Sequence, residues 1–141
     1  MPSKPHYWFS TVRLAVLFAL IFFFLRAPGA WDAQRSVGFV LILIGAIGIA
    51  VAQHQLGSSF SLTAQARHLV THGLYSKIRN PIYFFGLILF AGLPLATRRR
   101  QLWLLLPVVL VLQLIRARRE AKVLEVAFGE DYRAYRRRTW F

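Results

Sequence analysis

The chain has 141 residues, 57% of them hydrophobic and only 16% charged, with a mean hydropathy of +0.48. A water-soluble domain of this length needs more polar surface, so composition points to a single integral membrane domain over residues 1–141. The net charge of +13, from 18 Lys and Arg against 5 Asp and Glu, would suggest nucleic acid in a soluble protein. Beside long apolar blocks the natural counter-charge is anionic membrane lipid instead, and no nucleic-acid partner is expected. With no Cys in the chain, disulfides, a thiol nucleophile and thiolate metal sites are excluded.

The first predicted span is 8–25. Leu14–Leu25 is fully apolar, and Trp8, Phe9 and a snorkelling Arg13 extend it to crossing length. A basic start, a short apolar core and Ala27-Pro28-Gly29-Ala30 also fit a signal peptide, a weaker reading because more apolar blocks follow. A loop with Pro28, Gly29 and Trp31 precedes the second span, 37–55, which carries no charge. Its pairs Ala46/Ala50 and Gly48/Ala52 have the spacing at which small residues let helices approach closely.

The chain leaves the membrane at Gln53-His54-Gln55-Leu56-Gly57 and reaches a turn-rich stretch, 69–83. There Gly73 allows unusual backbone angles, and Pro81 restricts Asn80 and ends whatever precedes it. Blocks 82–96 and 102–115, joined by Arg98-Arg99-Arg100, are short for spans and predict a helical hairpin. The last helix is expected to run on to Phe128 and stop at Gly129, with a short basic, tyrosine-rich helix over about 130–138. The predicted fold class is thus all-α: a helical bundle of about four transmembrane helices plus a cytoplasmic C-terminal helical segment over about 116–138. Thirteen Lys and Arg fall on the side of the termini and the 56–81 loop, against five (Arg26, Arg35 and Arg98–Arg100) on the other. By the positive-inside rule both termini and the site are cytoplasmic.

Glu120 recurs with Leu124 and Phe128 every four residues, so a carboxylate lies on a packing stripe and needs a partner. That partner is either Arg116 or Arg119 nearby on the helix, or a cationic group of a ligand. Arg79 reads as a lipid-phosphate contact or as the anchor for a carboxylate or phosphate ligand. Tyr75 and Tyr83 read as interface aromatics or as site hydroxyls. His68 and His72 have helical metal-ligand spacing, but Gly73 breaks the helix and no third ligand group is near, so no metal is expected.

Leu69-Val70-Thr71-x-Gly73-x-Tyr75-x-x-x-Arg79-Asn80-Pro81-x-Tyr83, followed by Glu120-x-x-x-Leu124-x-x-x-Phe128-Gly129-x-x-Tyr132-x-x-Tyr135, resembles the isoprenylcysteine carboxyl methyltransferase family. Its wider group includes the phospholipid methyltransferases. The upstream Leu56-Gly57-x-x-Phe60-Ser61 resembles it as well. The resemblance covers about residues 53–138 and rests on the ordered pair of motifs. It implies a membrane enzyme that uses S-adenosyl-L-methionine, with a cytoplasmic cofactor pocket closed by the C-terminal segment and a lipid-like or prenylated methyl acceptor reaching it from the bilayer. Carboxyl O-methylation is the implied reaction. By position, Leu69, Val70, Gly73, Tyr75, Asn80, Pro81 and Glu120 would bind the cofactor, and Arg79 and Tyr83 would be catalytic. Two departures stand out: Asn80 where the family often has His, and Ala121 where it typically has a second glutamate. The alternatives are an amine N-methyltransferase of the same wider group, an NADPH-dependent enzyme related to the sterol reductases, and a non-enzymatic membrane scaffold.

Overall fold

The computed structural model of the chain describes Arg26, residues 31–57 and residues 69–140. The predicted span 8–25, Phe60, Ser61 and His68 lie outside the described residues. Those described are helical: α1 (Ala33–Leu56), α2 (Pro81–Thr97) and α3 (Leu105–Arg138), with single 3-10 turns at Gly73–Ser76 and Arg100–Leu104. The one extended pairing among them is an isolated parallel bridge between Ile78 and Trp140.

The first two helices start where the sequence supplies a reason. Asp32 caps α1, its carboxylate accepting from the Arg35 N–H at 2.9 Å. Pro81 opens α2 at a position where a helix needs no N–H donor, while the Asn80 carbonyl accepts from the N–H groups of Tyr83 and Phe84 at 3.1 and 3.0 Å. α3 breaks at Gly129, whose φ of 49° and ψ of −118° suit only glycine, and resumes beyond it. This is the expected stop at Phe128 followed by a short basic helix.

α1 and α2 pack antiparallel along a seam of small residues. The buried positions of α1 are Arg35, Gly38, Ile42, Gly45, Gly48 and Ala52, one helical stripe. A Cβ added to Gly38 would meet the Gly92 carbonyl oxygen at 2.8 Å, and one on Gly45 would meet Leu89 Cβ at 2.6 Å. The backbones therefore approach as closely as they can, which maximises dispersion contact where lipid removes the hydrophobic drive for association. Of the two expected small-residue pairs, Gly48/Ala52 lies in this seam; Ala50 is exposed on another face. Asp32 and Arg98 form an ion pair that ties the start of α1 to the end of α2.

By length and composition, Ala33–Leu56 and the continuous stretch Arg100–Arg138 can each cross a membrane; Pro81–Thr97 is apolar but shorter. None of the apolar window of Arg100–Arg138 is buried among the described residues, and Val108, Val111 and Leu112 are all more than half exposed. In water such a face would be unstable; in a bilayer it is the ordinary lipid-facing surface.

Candidate functional site

The antiparallel pairing puts the end of α1, the 69–80 segment, the start of α2 and the returning end of α3 at one pole of the molecule. Asp32 and Arg98–Arg100 lie at the other. Gln55, in the last turn of α1, accepts from the Leu74 N–H at 2.8 Å. Gly73 has φ +60°, and a Cβ there would come within 2.5 Å of the Gln55 amide. A glycine is required both by that backbone angle and by the amide lying across it. The 3-10 turn that follows is closed by Tyr75 N–H to His72 carbonyl at 3.1 Å, and it points Tyr75 inward, where it is buried.

The kink at Gly129 sends the last helical turns back over this segment. Tyr132 and Tyr135 are buried, and the Tyr135 hydroxyl donates to the Tyr75 carbonyl at 2.8 Å. Beyond the helix, Trp140 makes two backbone bonds with the same segment. Its N–H donates to the Lys77 carbonyl at 2.9 Å, and its carbonyl accepts from the Arg79 N–H at 3.1 Å. The C-terminus is thus a strap that holds the residues between Tyr75 and Arg79.

Under the strap, the Tyr83 hydroxyl donates to Glu120 Oε1 at 2.6 Å, joining α2 to α3. A hydrogen bond this short to a carboxylate is charge-assisted, contributing about 1.5–3 kcal/mol. The Arg116 guanidinium lies over the Tyr83 ring, 5.7 Å from its centroid. Burial raises the hydroxyl pKa of Tyr75, and the neighbouring Tyr135, Glu120 and Tyr83 add to the rise. Burial also raises Tyr132, opposed by the Arg79 charge, and pushes Tyr135 up to about 12 against the same opposition. Tyr75, Tyr83, Tyr132, Tyr135, Glu120 and Arg79 therefore sense one another's charge and form one cluster.

Glu120 thus has a Tyr83 partner that helical periodicity did not supply. Tyr83, Tyr75, Arg79, Asn80, Pro81 and Gly73, the residues that the resemblance singles out, all fall at this pole. Leu69 and Val70 are half-buried at the start of the segment, and His72 is exposed. Asn80 makes no side-chain cap to α2, and Ala121 is half-buried beside Glu120. Sequence reasoning missed Gln55 and Trp140, whose contacts are long-range and leave no periodic signal. It also missed Gln113, which lies two turns before Glu120 on α3 and faces Gly86: a Cβ there would be 2.9 Å from its Nε2. The side-chain oxygens of Gln113 and of Gln53 are buried without a hydrogen-bond partner among the described residues. No group of three or more His, Asp or Glu suited to a metal ion occurs among the described residues.

The family model for phospholipid methyltransferase matches residues 33–131, which includes all three helices up to just past the Gly129 kink. No curated protein and no solved structure matches the chain.

Proposed function

Because this chain belongs to the phospholipid methyltransferase family, within the wider group of membrane methyltransferases, we propose that it transfers a methyl group from S-adenosyl-L-methionine to a lipid-like acceptor at the membrane surface. The observation that carries this reading is the Tyr83–Glu120 pair. It sets a half-buried carboxylate under the strap, between two apolar helices, where a cationic ligand group would find it.

The donor set suits that cofactor. Glu120 matches an ammonium, Arg79 matches a carboxylate, and the buried rings of Tyr75, Tyr132 and Tyr135 supply aromatic, largely apolar surface. The orphaned oxygens of Gln53 and Gln113 are acceptors that a ligand rich in N–H and O–H donors would satisfy. When bound, S-adenosyl-L-methionine supplies a methyl group on a sulfonium, an electrophile that needs no further activation. The protein's own work is then alignment and exclusion of water. In this reading Gly73, with Leu69 and Val70, offers backbone groups to the cofactor. Asn80 and Pro81 form the wall at the head of α2, and Tyr83 holds Glu120 in one orientation. Arg79, fixed through its backbone to Trp140, orients an acidic group of cofactor or acceptor.

For the acceptor atom, the guanidiniums of Arg79 and Arg116 suit a carboxylate, including that of a prenylated cysteine, and O-methylation of a carboxylate requires no base. The family match favours a second reading, an amine on a phospholipid headgroup. There an ammonium must lose a proton, and the Glu120 carboxylate, held by Tyr83, is the candidate base. Product analysis with lipid extracts separates the two. In this reading the protein is multi-pass, and the excess of Lys and Arg along the sequence on the side of the termini and the 56–81 loop supports a cytoplasmic face for the site and both termini.

The deciding experiment is calorimetry on detergent-purified protein with S-adenosyl-L-methionine, and with NADPH in parallel. Binding of the first that weakens about tenfold or more in a folded Glu120→Ala variant supports the proposal. Binding of NADPH alone would move the chain to the reductase reading, and binding of neither by folded protein to a scaffold.

A further inference from the structure

The strap ends beside the first turn of an apolar helix. The Trp140 ring packs edge-on against Phe84, with centroids 5.4 Å apart. Phe84 is in the first turn of the apolar helix α2, three residues after Pro81. Trp140 is nevertheless 54% exposed, so a large amphipathic ring faces outward beside the first turn of an apolar helix. Tryptophan concentrates at the membrane–water boundary because its body is apolar and its N–H is polar.

Before it, separated only by Thr139, come Arg136, Arg137 and Arg138, all exposed. With Tyr132 and Tyr135 turned inward, helical geometry spreads the three cations around the remaining sides of the helix. Arg133, three residues earlier, is engaged by Glu125 at 2.9 Å and Glu130 at 2.7 Å. Arg136, Arg137 and Arg138 make no ion pair with a carboxylate among the described residues. Lys77, whose carbonyl receives the Trp140 N–H, is exposed as well. The one acid nearby outside the Arg133 network is Asp131, which is exposed.

We propose that the segment Arg136–Trp140 docks on an anionic membrane leaflet: the three arginines take lipid phosphates, Trp140 sits at the hydrocarbon boundary beside Phe84, and this contact keeps the strap closed over Tyr75–Arg79. The membrane is the occupant because charge complementarity and an apolar neighbour coincide. A soluble anion would satisfy the arginines but gives no role to an exposed tryptophan beside the start of α2. Arginines at a helix end also suit the helix dipole, but that contribution is the same whatever the lipid. Closure of the strap therefore responds to leaflet charge and weakens with salt. The inference concerns the strap and stands whether or not methyl transfer is the reaction.

The test is amide hydrogen exchange on the full chain in lipid nanodiscs, one set of phosphatidylcholine alone and one mixed with phosphatidylglycerol. The Arg79 and Trp140 amides, which close the strap, are the probes. They are expected to exchange about tenfold or more slowly in anionic discs at low salt. A triple Gln variant at 136–138 is expected to lose that difference, and the triple Lys variant, which keeps the charge, to retain it. Equal exchange in the two kinds of disc would overturn the proposal, as would a Gln variant that still responds to lipid charge. So would inorganic phosphate in solution protecting the two amides in neutral discs as fully as anionic lipid does.

Discussion

At the residue scale, the site depends on two tyrosine hydroxyls, Tyr83 donating to Glu120 and Tyr135 donating to the Tyr75 carbonyl. Tyr83→Phe removes the 2.6 Å bond to Glu120 while keeping the ring under Arg116. The carboxylate then loses its fixed orientation, and S-adenosyl-L-methionine affinity is expected to fall about tenfold, measured by calorimetry, for a loss of about 1.5 kcal/mol. Tyr135 makes a different kind of prediction. Its hydroxyl is pushed from the ordinary 10.0 up to about 12 by burial, with Tyr132 adding to the rise and Arg79 opposing it. The folded value lies above the unfolded one, so the proton is held more tightly in the folded state. Its contribution to stability is complete below pH 10 and is lost as pH rises from 10 towards about 12. Thermal unfolding in detergent should therefore be insensitive to this group at neutral pH and fall through that alkaline window. In Tyr135→Phe this part of the alkaline fall should be absent. The variant should also be less stable at neutral pH by about 1–3 kcal/mol, because the buried Tyr75 carbonyl loses its donor.

At the element scale, the α1–α2 seam and the α3 kink carry the geometry, and they fail for different reasons. Gly38→Ala puts a methyl group against the backbone of Gly92 and Ala96, and backbone cannot turn aside. It should cost about 1–3 kcal/mol of overpacking, read as a lower unfolding temperature in detergent, whereas Ala50→Leu on the exposed face should be near neutral. Gly129→Ala meets no atom within 4 Å but forces alanine to φ 49°, ψ −118°. The strain, about 1–3 kcal/mol, is relieved if the helix straightens and carries Tyr132 and Tyr135 away from Tyr75. Near-normal unfolding of the α1–α2 core, with weakened cofactor affinity, is the expected signature. The kink was legible in advance because a glycine followed by acidic residues marks a helix stop and restart, and that reading needs no tertiary information.

At the scale of the whole molecule, the polar distribution is bipolar. Gln55, the 73–80 turns, Glu120 and the strap lie at one end, and Asp32 with Arg98–Arg100 at the other. A chain without Cys makes the topology directly testable by single substitutions. In the bilayer, cysteines introduced at Ser76 and at Thr139 should react with an impermeant maleimide from the same side, and one at Gln101 from the opposite side. Labelling of Ser76 and Gln101 positions from one side would rule out a crossing by α2 and bring the site and the arginine turn to the same surface.

Local chemistry determined much of this protein. Apolar runs placed α1, α2 and α3 to within a few residues, because a segment that must satisfy its own backbone in lipid becomes a helix wherever it is long enough. Glycine and proline set the breaks at 73, 81 and 129, because their allowed backbone angles are intrinsic to the residue. The family resemblance pointed to Tyr75, Arg79, Tyr83 and Glu120, which lie at one pole, but not to Gln55 or Trp140. Only the tertiary structure decided which of them touch. Glu120 meets Tyr83 rather than being explained by its own helix, Gln55 reaches Leu74, and Trp140 pairs with Lys77 and Arg79. These bonds join residues 19 to 63 positions apart, and no periodicity along the chain encodes which distant partner a folded helix will present.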